Sequence, residues 1–209
     1  MKLVQTQLLV DSDAFCKLAA ANLLEESLGL LSVANAQCAR LPSLPPMLRR
    51  GRLREKLSGP VADVLLPIAE QIIAMEEPSD GWLDLLVNHR AIDVGEAQIY
   101  ALAAEHGFQV LTGDKRSLVE LSRLPTFRDR LGGRVVSLEA VLLGLTGTMS
   151  DAELRARGSI LAKYDSMARA IFRSSSSPLA QGLESYLQDL ERSVDPMKLW
   201  RPRGLRVEG

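Results

Sequence analysis

The sequence predicts an α/β protein with a parallel sheet that is covered by helices on both faces. Three observations support this fold class. Short apolar runs alternate with longer segments of helical periodicity, as in successive βα units. Two of the runs end directly before an aspartate or a Gly-Asp pair, where a predicted strand is followed by a predicted helix. The 209 residues suffice for one full core and an appendage.

The predicted strands and helices alternate through the first two thirds of the chain. Strands are predicted over 3–10, 36–41, 108–112 and 134–137, each as a short apolar or β-branched run. Helices are predicted over about 14–33, 61–75, 81–86, 93–105, 114–123 and 138–145. Pro67 indicates a kink or a boundary in the second of these helices, and His106-Gly107 ends the fourth.

The character of the chain changes after Thr146-Gly147-Thr148. We therefore expect an α/β domain over 1–146 and a helical appendage over 147–209. Ser150 with Glu153 has the spacing of a capping box and predicts a helix that runs to about Phe172; another follows to about residue 192. The apolar positions of these helices either pack on the α/β domain or form a surface for a homodimer or another partner.

Composition limits the function classes. Because 25 basic residues are balanced by 26 acidic ones, nucleic acid would have to be bound by a local patch. No apolar run approaches the roughly 18 residues of a membrane span, and the N-terminus lacks a signal-peptide pattern. The two cysteines predict reduced thiols in a cytoplasmic protein. With only two histidines, a structural zinc module is excluded.

Three acids stand where strands end or helices begin. Asp11 follows the run Leu8-Leu9-Val10, Asp114 follows Val110-Leu111-Thr112-Gly113, and Glu96 opens a helical pattern. Ligands of parallel sheets bind outside the carboxyl ends of the strands. If the strands are neighbours, these carboxylates converge, and such a site suits Mg²⁺ or Mn²⁺ and phosphodiester hydrolysis.

Each acid also has a purely structural interpretation. Asp11 or Ser12 can cap the first helix, and the two interpretations of Asp11 weigh about equally. Asp93 with Glu96 fits a capping box, and Asp114 can cap the helix that it precedes. Gly95 modestly favours the functional interpretation of Glu96. Glycine in a first helical turn costs up to about 1 kcal/mol relative to alanine, so its use there needs a reason. Its presence indicates that another backbone or a ligand approaches closely.

A basic run is the candidate nucleic-acid surface. The segment 47–58 contains five basic residues and one acid, Glu55. The run predicts phosphate contacts along single-stranded RNA, or, with equal weight, a solvated helix face. Lys115 and Arg116 follow Asp114 and are better placed to contact a substrate near a metal. The predicted nucleic-acid-binding residues are Arg49, Arg50, Arg52, Arg54, Lys115 and Arg116.

Three segments, in order, resemble the PIN-domain nucleases. They are the opening strand and acid over 8–15, the Gly-Glu-Ala helix over 93–103 and the strand and acid over 110–116. The resemblance covers roughly residues 3–140. It implies a three-layer α/β/α fold and metal-dependent RNA cleavage, and many members of the family are VapC-like toxins held silent by an antitoxin partner. Asp11, Glu96 and Asp114 would take the family's metal-binding, catalytic positions. Asp13 stands where the family commonly has Ser or Asn and would add a further ligand or a hydrogen-bond acceptor around the metal ligands.

The chain departs from this family at one place. The family often supplies another acid from the helix after the second strand, where this chain has Pro45-Pro46-Met47-Leu48-Arg49-Arg50. Glu55, Asp63 or Glu70 could substitute only by a shift of alignment. The departure favours an alternative, a catalytically weak or inactive PIN-like module that binds RNA or protein. A third hypothesis is a haloacid-dehalogenase-type phosphatase, because Asp11-Ser12-Asp13 has the Asp-x-Asp form.

Overall fold

The computed structural model describes residues 6–173 and 178–203, and its centre is a five-stranded parallel sheet. The strands are β1 (Leu8–Val10), β2 (Cys38–Arg40), β3 (Ile73–Ala74), β4 (Gln109–Thr112) and β5 (Val135–Ser137). Helices flank the sheet, so the predicted α/β class is confirmed. The predicted first strand included residues 3–5, which lie outside the described residues.

The strand order is β3-β2-β1-β4-β5. The chain builds outward from β1 to β2 and β3, and then crosses to the other side of β1 to form β4 and β5. The direction therefore reverses between β1 and β4, which is where open α/β sheets bind their ligands. β1 and β4 end at the same level of the sheet, because Val10 pairs with Leu111. The first residues after β1 and β4 thus lie at the same edge.

Thirteen α-helices are present in the described part of the chain. They are α1 (Ser12–Ala20), α2 (Leu24–Leu30), α3 (Leu44–Arg50), α4 (Arg52–Leu57), α5 (Gly59–Gln71), α6 (Asp80–Asp84), α7 (Val94–His106), α8 (Lys115–Ser122), α9 (Pro125–Leu131), α10 (Leu138–Leu145), α11 (Asp151–Leu161), α12 (Ser166–Arg173) and α13 (Leu179–Val194).

Two predicted long helices are wrong, because each is divided by a turn. The helix predicted over 14–33 is interrupted at Asn22, whose φ of 53° is left-handed; asparagine adopts that conformation more readily than most residues. The helix predicted from Ser150 to Phe172 divides between Leu161 and Ser166. Asp165 caps the second part, since its Oδ1 accepts a hydrogen bond of 2.9 Å from Ala168 N.

Other elements were not predicted. β3 lies within the segment 61–75 that the pattern assigned to one helix, and α3, α4 and α9 were missed. Pro45 and Pro46 stand in the first turn of α3, where a missing N–H costs no helical hydrogen bond. Pro67 lies inside α5, which continues past it to Gln71.

The C-terminal helices share the hydrophobic core of the sheet domain. All eight residues of α10 are buried, and α13 packs against this helix through one face that includes Leu183 and Leu187. Leu154 and Leu161 of α11 belong to the same core. The structure thus shows the first of the two predicted arrangements, with the appendage packed on the α/β domain. No helix within residues 6–173 and 178–203 has the length and apolarity to cross a bilayer.

Candidate functional site

Asp11 follows β1 directly and caps α1. Its Oδ2 accepts hydrogen bonds from the backbone N–H of Asp13 at 3.2 Å and of Ala14 at 3.4 Å. The helix-capping interpretation is therefore confirmed. The side chain is also buried, and desolvation, reinforced by the charge of Asp13, raises the pKa of Asp11 to about 6. Asp11 is thus a buried acid whose ionised form is disfavoured in this environment.

Glu96 and Asp93 form the predicted capping box at the start of α7. Glu96 N donates to Asp93 Oδ1 at 2.8 Å, and Asp93 N donates to Glu96 Oε2 at 2.9 Å. Glu96 is buried, and desolvation raises its pKa to about 7 despite these bonds. One turn further along, the buried Tyr100 hydroxyl is 2.7 Å from Ser117 Oγ. This contact joins α7 to α8 beneath the site.

Gly95 lies at a close approach, but the approaching group is a side chain and not the backbone or ligand that was predicted. A Cβ at this position would lie 2.9 Å from Leu41 Cδ1, which follows β2. The glycine therefore lets the first turn of α7 approach the carboxyl end of β2. This close packing brings Glu96 towards the edge of the sheet.

Asp114 stands two residues beyond β4 and caps α8. Its Oδ1 accepts hydrogen bonds from Arg116 N at 2.8 Å and Ser117 N at 3.3 Å. Its Oδ2 is 3.3 Å from the exposed Arg116 guanidinium. The capping interpretation is confirmed for this acid also.

Asp11, Glu96 and Asp114 line one cavity of about 420 Å³ at the carboxyl edge of the sheet, where β1 and β4 adjoin. Asp13, Asp93 and Asp165 also lie on its wall. Their carboxylate oxygens are the donor type that Mg²⁺ and Mn²⁺ prefer. Yet within the described residues, no three His, Cys, Asp or Glu side chains are grouped closely enough to hold one metal ion. The donor chemistry suits a divalent cation, whereas the side-chain arrangement is not a preformed three-acid site.

Asp13 does not stand free as an additional ligand. Lys17 Nζ lies 2.6 Å from its Oδ2, and Lys56 Nζ lies 2.7 Å from its Oδ1. Burial alone would raise the pKa of Asp13, but these two ammonium groups outweigh burial and hold the pKa below its ordinary value. Asp13 is therefore an ionised residue whose charge is already compensated.

Lys17 and Asp165 are site residues that the sequence analysis missed. The Lys17 side chain is 8% exposed and also contacts Asp165 Oδ2 at 2.7 Å. Burial disfavours its charged form, but the two carboxylates outweigh burial and raise the pKa of Lys17. The spacing of Asp13 and Lys17, four residues apart on a helix, was an available signal. Nothing in the sequence linked either residue to Asp165.

The predicted basic run divides into two groups. Arg49 and Arg54 form ion pairs with Glu70 and Asp63 of α5, and these contacts support the solvated-face interpretation for both arginines. Arg52 and Lys56 instead line the cavity, whereas Arg50 is exposed and does not.

The remaining predicted nucleic-acid-binding residues are those that follow Asp114 in the chain. Lys115 and Arg116 line the cavity beside Asp114, and Lys115 Nζ lies 3.0 Å from Glu139 Oε1. Glu55, Asp63 and Glu70, the suggested substitutes for the missing family acid, do not line this cavity. Asp165, which comes from the C-terminal helices, does.

In comparisons with known proteins, no family model, no curated protein and no solved structure matches this chain.

Proposed function

We propose that this chain is a metal-dependent endoribonuclease of the PIN type that hydrolyses RNA phosphodiesters in the cavity beyond the carboxyl ends of β1 and β4. The observation that carries the proposal is the position of Asp11 and Asp114. They follow neighbouring parallel strands at the point where the strand order reverses, and Glu96 lines the same cavity.

The electrostatics of the cavity support a cationic ligand. Burial raises the pKa values of Asp11 and Glu96, which means that their negative charges lack sufficient compensation. A divalent cation would offset that cost. Asp11 and Asp114 would be its direct ligands, and Glu96 would ligate it through a water molecule, or directly once its side chain turned towards the ion. When bound, Mg²⁺ or Mn²⁺ supplies an activated water and charge neutralisation for the scissile phosphate.

The chain's own residues would position the RNA. Arg116, which is exposed beside Asp114, and Arg52 on the opposite wall present guanidinium groups to a phosphate in the cavity. Lys115 adds positive charge at the start of α8. These groups would hold the backbone on both sides of the acids and so orient the scissile bond.

Incubation with assorted single-stranded and structured RNAs, with and without Mg²⁺ or Mn²⁺, tests the proposal. We expect metal-dependent cleavage by the wild type and its loss in Asp114→Asn. Asparagine caps helices as well as aspartate does, so this variant should remain folded. Asp63→Asn, which removes an acid outside the cavity, is the matched control and should cleave normally. Metal-independent cleavage, or equal cleavage by Asp114→Asn, would refute the assignment.

The second candidate is a PIN-like module that binds RNA or protein without catalysis. The compensation of Asp13 by Lys17 and Lys56 favours it, as does the lack of a preformed three-acid group in the described residues. Calorimetry with Mn²⁺ on the wild type and on Asp11→Asn separates the two candidates. The nuclease should bind the ion at a site that Asp11→Asn abolishes, whereas the inactive module should not. An antitoxin partner would accompany either function in a toxin–antitoxin pair.

A phosphatase of the haloacid-dehalogenase type has weaker support. The second acid of the Asp-x-Asp form would be Asp13, which is held in two ion pairs. Glu96, which has no role in such an enzyme, lines the cavity instead. Turnover of a small phosphate monoester without cleavage of RNA would favour the phosphatase.

A further inference from the structure

A second cavity, of about 520 Å³, adjoins the candidate site on the side of β2. The two cavities share parts of their walls, including Asp11, Arg52 and Lys56. The second cavity continues to Leu41, which follows β2, and to Gln98 of α7. It therefore lies beyond the carboxyl ends of β1 and β2, next to the acids. Its volume falls in the usual range for small-molecule sites, about 300–1,000 Å³.

Arg52 stands out among the cations on these walls. Lys17, Lys56, Lys115 and Arg116 each contact a carboxylate. The side chain of Arg52, the first residue of α4, makes no hydrogen bond or ion pair with any residue of segments 6–173 and 178–203. Although Asp11, Asp13 and Asp93 line the same cavity, this exposed guanidinium forms an ion pair with none of them, and it is suited to bidentate binding of a phosphate.

Ser12 provides an independent indication of a ligand. It lines the second cavity, is 8% exposed, and its Oγ is the single buried side-chain polar atom without a hydrogen-bond partner in the described structure. Buried hydroxyl groups are ordinarily paired, and an unpaired one needs an explanation. Rotation about its χ1 bond would turn this hydroxyl towards the adjoining cavity, where a polar ligand would supply the missing partner.

We propose that the second cavity binds one nucleotide of the substrate, with its phosphate on Arg52 and its base in the cavity. This inference rests on the proposed function and names the subsite that holds the residue next to the scissile phosphate. Met47 and Leu53 provide apolar contact for the faces of the base. The Gln98 amide, both donor and acceptor, and the Ser12 hydroxyl provide partners for its polar edge.

Metal-free calorimetric titrations test this subsite. The probes are the four nucleoside 5′-monophosphates, ribose 5-phosphate and inorganic phosphate. We expect at least one nucleotide to bind about tenfold or more tightly than ribose 5-phosphate, because only the nucleotide fills the cavity. Arg52→Gln should weaken every phosphate probe by about tenfold. Gln98→Leu should weaken the nucleotide alone.

Arg90→Gln is the matched control. Arg90 is exposed, has no ion pair in the described chain and lines neither cavity. This variant should bind all probes like the wild type, and circular dichroism should show that every variant is folded. Equal effects of Arg52→Gln and Arg90→Gln, or nucleotides that bind no better than ribose 5-phosphate, would overturn the proposal.

Failure of the subsite can be told apart from failure of the nuclease assignment. The titrations contain no divalent cation and measure no cleavage, so they report on the second cavity alone. Metal-dependent RNA cleavage without nucleotide binding in these titrations would refute the subsite and leave the enzyme. Nucleotide binding that depends on Arg52, without cleavage, would retain the subsite and refute the nuclease.

Discussion

The ammonium group of Lys17 lies 2.7 Å from Asp165 Oδ2 and so joins residues that are 148 positions apart in the chain. Lys17 belongs to α1, the helix that begins directly after Asp11. Asp165 belongs to the turn between α11 and α12. The contact connects the C-terminal helices to the wall of the candidate site. The appendage is thus a part of the site and not only a cover for the core.

The first prediction concerns this ion pair. Asp165→Asn keeps a helix-capping side chain and removes the charge that Lys17 contacts. We expect the variant to lower the free energy of unfolding by about 1–3 kcal/mol. This is less than the cost of removing one partner of an isolated buried ion pair, because Lys17 keeps its contact with Asp13. Urea denaturation measures the change.

Glu26→Gln is the control for that experiment. Glu26 joins the body of the protein to Arg157 of α11, but this pair lies away from the cavity and Arg157 also contacts Glu153. We expect a loss below about 1 kcal/mol. If both variants lose the same stability, the buried position of the Lys17–Asp165 pair has no special energetic value.

The second prediction is a fall in stability as the pH rises from about 4 to 7. Burial raises the pKa of Asp11 to about 6 and that of Glu96 to about 7. The folded state therefore binds more protons than the unfolded state in this window, and stability decreases as both acids ionise. Above the folded-state pKa values, the full cost applies.

Asp11→Asn isolates one part of this effect. The variant should match the wild type near pH 4 and exceed its stability at pH 7 by on the order of 2–3 kcal/mol. Denaturation midpoints across the pH series measure the difference. A wild-type stability that is flat or rising over this window, with no gain in the variant, would contradict the assigned burial of Asp11.

The third prediction concerns divalent ions. Because a bound cation would offset the buried charge of the acids, Mn²⁺ should stabilise the wild type by about 2.7 kcal/mol at a hundredfold excess over its Kd. Thermal unfolding with and without Mn²⁺ measures the shift, and EDTA should reverse it. Asp114→Asn should show a much smaller shift, whereas Asp63→Asn should respond like the wild type. Equal shifts in both variants would indicate nonspecific ion binding.

The fourth prediction compares two helical glycines. A Cβ on Gly158 of α11 would overlap with the ring of Phe172 of α12, so Gly158→Ala should cost about 1–3 kcal/mol through overpacking. A Cβ on Gly29 of α2 would meet no atom within 4 Å. Gly29→Ala should therefore gain about 0.5–1 kcal/mol from helix propensity. A gain in stability for Gly158→Ala in chemical denaturation would show that the packing of α11 on α12 is wrong.

The sequence by itself determined the α/β class, the parallel sheet and the edge at which Asp11 and Asp114 stand. These features follow from local patterns, since apolar runs and helical periodicity depend on residues close together in the chain. The capping roles of Asp11, Asp93 and Asp114 were likewise local and are confirmed. The breaks at Asn22 and Asp165 escaped prediction because apolar spacing continues across both turns.

Only the tertiary structure decided which charges share the cavity. It brought Lys17, Lys56 and Asp165 to the acids and assigned Arg49 and Arg54 to carboxylates of α5. These pairings depend on the strand order and on how the C-terminal helices pack, which join residues distant in the sequence. Coulomb interactions act between groups that are near in space, so their partners cannot be derived from spacing along the chain.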